Sequence, residues 1–211
     1  MTAEWNTILD QGWVISYLKP VSEPQFPPLI LLHGFTGNEH SVKPLVYGID
    51  PNRWLISFRG PLSANGNGYS WALEKSRSLN DFQSSANSFF IQWQRVRSLL
   101  EIHSEMVDLL GFSQGAAFAS VLLLLFPQLV RRVGLLSGFV PKWDDRFKAP
   151  SLKGHQMIIS HGTQDEIIPF EMAQHSSQVL SSLGADVTFC QSETRHKIGA
   201  QCNAQVMTFF D

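Results

Sequence analysis

Short apolar runs alternate with longer stretches in which apolar positions recur every three to four residues. The short runs predict strands over Trp13–Lys19, Pro28–Leu32, Trp54–Phe58, Met106–Leu110, Arg132–Leu136, Gln156–Ser160 and Asp186–Cys190. The longer ones predict helices over about Asn80–Glu101, Gln114–Phe126, Pro169–Leu183 and Gly199–Phe210. In the first helix Phe82, Phe89, Phe90, Trp93, Val96, Leu99 and Leu100 fall close to helical spacing. Pro127 stops the second helix and Gly184 the third. Strands separated by helices imply right-handed crossovers and a mostly parallel sheet with helices on both faces, an α/β architecture. No repeat or linker interrupts the pattern, so residues 1–211 are expected to form one domain.

Composition narrows the function. Hydrophobic residues are 44% of the chain, enough for a core without disulfide or metal staples. Charged residues are only 16% and the net charge is −2, which disfavours nucleic acid as a partner. Cys190 and Cys202 are expected to be buried free thiols, since a zinc site or a secreted scaffold needs more ligands or more cysteines. Met1–Asp10 has no basic or apolar run of the kind a signal peptide needs, and the longest apolar run, Val121–Phe126, is far short of a membrane span. A soluble, cytoplasmic protein with no stable membrane insertion is the expectation. Its oligomeric state is open, a homodimer being one option.

The sharpest chemical signal is Gly111-Phe112-Ser113-Gln114-Gly115, between the Met106–Leu110 strand and the Gln114–Phe126 helix. That strand–turn–helix setting is what a nucleophile elbow requires. The turn is tight enough that the residues two either side of the serine must be small. Ser113 would then project above the sheet, and the Gln114 amide at the helix N-terminus could donate to a developing oxyanion. A serine hydroxyl needs a base, and the base an orienting carboxylate. Asp165 follows the Gln156–Ser160 strand and His196 the Asp186–Cys190 strand, in the chain order Ser, Asp, His. Glu166 is the near rival for the acid, by a slip of one residue. The second oxyanion donor is expected at the Phe35 amide, where Leu31-Leu32-His33-Gly34-Phe35 ends a strand. The duller readings are a helix cap for Ser113 and a turn for Asp165. The long segment Pro61–Ser78 is expected to be a functional loop. Its Tyr69 and Trp71 read as a substrate-binding apolar wall, or as plain packing.

These segments together resemble the α/β-hydrolase fold, and more narrowly the phospholipase/carboxylesterase family that includes acyl-protein thioesterases and small carboxylesterases. The resemblance is carried by Leu32-His33-Gly34-Phe35-Thr36-Gly37, Arg59-Gly60-Pro61, Gly68-Tyr69-Ser70-Trp71, Gly111-Phe112-Ser113-Gln114-Gly115, His161-Gly162-Thr163-Gln164-Asp165 with Pro169, and His196. It implies hydrolysis of carboxylic esters, thioesters or lysophospholipids by Ser113, Asp165 and His196, with no metal or organic cofactor. A departure is Arg195, where the family usually has glycine before the histidine. Acyl transfer and non-catalytic ligand binding are the alternatives on the same scaffold. Little length remains for a lid domain, so an open, shallow site for a small-molecule ester is expected.

Overall fold

Adjacent residues of the central strands bury on opposite faces of a sheet. Ile30 and Leu32 join one apolar cluster while Leu29 and Leu31 join the other. The same split separates Leu109 from Leu110. A strand buried on both faces needs a nearly unbroken apolar run, which is what the chain supplies there. The computed structural model describes residues 4–211. The signal-peptide reading of Met1–Asp10 falls partly on residues 1–3, which lie outside the described residues.

Among the described residues the strands are β1 (Asn6–Asp10), β2 (Trp13–Leu18), β3 (Leu29–Leu32), β4 (Leu55–Phe58), β5 (Leu62–Ala64), β6 (Gly68–Ser70), β7 (Val107–Phe112), β8 (Val130–Leu136), β9 (Gln156–Gly162) and β10 (Asp186–Ser192). The helices are α1 (Leu79–Leu99), α2 (Gln114–Leu125), α3 (Phe170–Ser182) and α4 (Ala200–Phe210). Eight strands form one sheet in the order β1-β2-β4-β3-β7-β8-β9-β10. From β4 to β10 every pairing is parallel, and β1 and β2 close one edge antiparallel. Helices α1, α2 and α3 cover one face, and α4 packs on the other with Val42 and Val46.

Two elements go beyond the periodicity reading. β1 pairs with β2 through the two-residue turn Gln11-Gly12, both at positive φ, as a tight hairpin requires. The expected loop Pro61–Ser78 contains the β5–β6 hairpin, turned at Asn65–Asn67. A correction concerns the cysteines. They are not free thiols: Cys190 on β10 and Cys202 on α4 form a disulfide, with Cα atoms 5.7 Å apart. The helix returns along the strand it follows, which brings the two side chains together.

Candidate active site

Ser113 sits between β7 and α2 at φ 56° and ψ −118°, a backbone position disfavoured for a residue with a side chain. Its neighbours explain how this is tolerated. A Cβ on Gly111 would collide with the carbonyl of Gly115, and one on Gly115 with the carbonyls of Leu32 and His33. The strand and helix therefore approach closely only because both residues lack side chains. The Ser113 amide is held to the Leu136 carbonyl at 2.8 Å, locking the elbow to β8.

Three distant side chains meet here. The Ser113 hydroxyl lies 2.9 Å from His196 Nε2, and His196 Nδ1–H donates to Asp165 Oδ2 at 2.7 Å. Asp165 has no exposed side-chain surface, and its other oxygen accepts the amides of Ile167 and Ile168 at 2.9 Å each. Those bonds orient the carboxylate toward the imidazole. His161 Nε2–H donates to the Ile168 carbonyl at 2.9 Å and lies 3.3 Å from Asp165 Oδ2. Burial pushes the His161 pKa down, so the ring beside Asp165 stays neutral.

The Phe35 and Gln114 amides have no hydrogen-bond partner among the described residues, whereas the amides of Ala116 and Ala117, further into α2, close onto the Ser113 carbonyl. The strand end before Phe35 is held by His33. His33 Nδ1–H donates to the Gly34 carbonyl at 2.7 Å, and Nε2 accepts the Gly60 amide at 2.8 Å. Burial drives the His33 pKa down to about 4, which keeps Nε2 a free acceptor.

Of the expected wall of Tyr69 and Trp71, Trp71 is placed where it cannot serve. Trp71 has no exposed surface, stacks on Phe118 at 4.4 Å and donates from its indole to the His33 carbonyl at 2.8 Å. A side chain so enclosed packs the core behind the elbow and cannot face a substrate. Tyr69 lies under the Arg59 guanidinium, 4.5 Å from its ring centre, and its amide bonds Gly37. The groove beside the elbow has a volume of about 600 Å³ and is lined instead by Gly34, Phe35, Phe112, Val42, Leu45 and Ile198, with Lys197 and Asn203 among its polar members. None of its apolar wall beyond Phe35 and Phe112 belongs to a sequence motif, so only proximity to the motifs could have indicated it. Among the described residues no group of three or more His, Cys, Asp or Glu side chains is placed to hold a metal ion. No helix among them is long and apolar enough to cross a membrane.

A mostly parallel sheet carrying a serine at a strand–helix elbow defines an α/β-hydrolase. The chain belongs to the phospholipase/carboxylesterase family, whose pattern matches residues 18–211, and it is a hydrolase. It is similar to MhqD of Bacillus subtilis (strain 168), at 26% identity over 182 residues, covering 81% of this chain and 85% of that one. In fold it is similar to a carboxylesterase from Mesorhizobium loti, with TM-score 0.85 and 24% identity over 97% of each chain. The Bacillus cereus carboxylesterase superposes with TM-score 0.84 and 20% identity, over 100% of this chain and 95% of that one.

Proposed function

We propose that this chain is a serine esterase that cleaves carboxylic esters or thioesters of small to medium acyl groups through an acyl-enzyme on Ser113. The observation that carries the reading is the hydrogen-bonded sequence Ser113–His196–Asp165, at 2.9 and 2.7 Å. His196 takes the hydroxyl proton as Ser113 attacks the acyl carbonyl, and Asp165 holds the imidazole tautomer and stabilises the imidazolium. The Phe35 and Gln114 amides receive the oxyanion. Protonated His196 then expels the alcohol or thiol, and water repeats the steps on the acyl-enzyme. Glu166 is the weaker choice for the acid, since it is Asp165 that bonds His196.

Ser113→Ala tests this directly. It is expected to abolish labelling by a fluorophosphonate probe and to lower p-nitrophenyl ester turnover by ~10⁴ or more, with an unchanged circular dichroism spectrum. Undiminished turnover would overturn the assignment. The Cys190–Cys202 bridge favours an oxidising compartment over the cytoplasmic location expected from the sequence. Counting free thiols in protein taken from its native compartment decides between them.

A further inference from the structure

We propose that His161 is a positioning residue for the esterase reaction, holding the Asp165 carboxylate in the orientation that His196 requires. This rests on the esterase reading of Ser113 and adds a further side chain to it.

His161 is a buried titratable group to which the serine mechanism gives no task. It stands near the end of β9, four residues before Asp165, and neither side chain has exposed surface. The strand is paired in parallel on both sides, to β8 and to β10, so His161 is mounted on the rigid part of the sheet. Its ring lies 6.2 Å from that of Phe170. Asp165 is mounted differently. It lies in the turn between β9 and α3, and that turn orients its carboxylate through the Ile167 and Ile168 amides on Oδ1. The turn needs an anchor of its own, and His161 supplies one. His161 Nε2–H donates to the Ile168 carbonyl at 2.9 Å. Ile168 thus grips the carboxylate with its amide while its carbonyl is held to the sheet.

The same ring nitrogen lies 3.3 Å from Asp165 Oδ2, the oxygen that accepts His196 Nδ1–H at 2.7 Å. One carboxylate oxygen therefore meets two imidazoles and the other meets two amides. A rotation about the Asp165 Cβ–Cγ bond would disturb contacts at both oxygens. The tautomer follows from the surroundings. With a carbonyl and a carboxylate oxygen facing Nε2, the proton belongs there, since a bare nitrogen would be repelled by both. Nδ1 is then an acceptor, buried and without a hydrogen-bond partner among the described residues. For packing alone the ring is a poor filler, because an apolar side chain of similar size would leave no orphaned nitrogen. Burial pushes the His161 pKa down, so the ring supplies a donor without a charge. A second cation here would compete for the carboxylate that must stabilise the His196 imidazolium.

The test follows p-nitrophenyl acetate hydrolysis in three variants, with melting temperatures measured beside the kinetics. His161→Leu removes the donor, and kcat is expected to fall about tenfold with KM unchanged. In His161→Gln the carboxamide nitrogen reaches as far from the backbone as Nε2 does, and should recover most of that loss. In His161→Asn it reaches only as far as Nδ1, and should not. Where His161→Leu fails to fold, the Gln and Asn pair decides. His161→Asn made on top of Asp165→Asn should cost less than about twofold more, because a residue acting through the carboxylate has nothing left to act on. Equal losses in both backgrounds, equal kcat in the Gln and Asn variants, or a lowered melting temperature with unchanged kcat overturns the proposal and leaves the esterase reading intact. A wild type without turnover removes the esterase reading and this inference with it.

Discussion

The side chain of Gln114 accepts a hydrogen bond from the Trp71 amide at 2.9 Å, across the boundary between the elbow and the segment after β6. The same carboxamide donates to the Ala72 carbonyl at 2.9 Å. One buried side chain thus ties the residue proposed to stabilise the oxyanion to the segment packed behind it. Gln114→Met keeps the volume and removes both bonds, leaving buried backbone groups unpaired. A loss of about 1–3 kcal/mol in urea unfolding is expected. Unchanged stability would show that water replaces both bonds.

Asp165→Asn separates orientation from packing. The Asn carbonyl can still accept the Ile167 and Ile168 amides, so the melting temperature should move little. Its NH₂ would then face His196 Nδ1 and favour the wrong imidazole tautomer. A fall in kcat of ~10³–10⁴ with little change in KM is expected. Steady-state kinetics beside a thermal melt distinguish this from a folding defect.

The opposite end of the sheet depends on a buried ion cluster. Asp108 accepts from Arg53 Nη2 at 2.6 Å and from Arg131 Nε and Nη2 at 2.9 and 2.6 Å. The side chains of Arg53 and Asp108 have no exposed surface. Asp108→Ala strands the Arg53 guanidinium, whose remaining partners are the carbonyls of Phe210 and Pro27. A destabilisation of about 3–5 kcal/mol is expected by chemical denaturation, with activity of the folded fraction retained.

The Cys190–Cys202 bridge closes a short loop that contains His196. Replacing both cysteines by serine should lower stability by about 2–3 kcal/mol, and a reducing agent should do the same to the wild type. Equal melting curves with and without reductant would show that the bridge contributes nothing to the folded state.

Two buried neutral histidines make the fold acid-sensitive. The His33 pKa lies at about 4 in the folded state against an ordinary value of 6.5, and that of His161 is lowered in the same direction. Below pH 6.5 the unfolded chain takes up these protons first. Stability should therefore fall as pH drops from 6.5 toward 4, and the His33 contribution should level off below that. His33→Gln should flatten the slope of unfolding free energy against pH in this window. An unaltered slope would assign the acid sensitivity to other groups.

How much was legible in advance depended on whether the signal was local. The strand and helix periods placed β2 to β4, β7 to β10 and all four helices within a few residues. The elbow was legible because a serine at positive φ between two close-packed backbones demands glycine at 111 and 115. Strand β1 was missed although Gln11-Gly12 marks its turn, because a strand with no buried residue carries little apolar pattern. Trp71 was misplaced because a tryptophan in a Gly/Asn-rich segment looks the same whether it faces a groove or Phe118.

The sequence by itself determined the alternation of strands and helices, the elbow around Ser113, and the candidate partners Asp165 and His196. All of these rest on backbone sterics and side-chain chemistry between near neighbours. Only the tertiary structure decided that Asp165, and not Glu166, bonds His196, that Cys190 meets Cys202, and that Lys197 and Asn203 border the groove. Those relations join residues whose distance is set by strand order and helix packing. Neither is encoded in any short stretch of the chain.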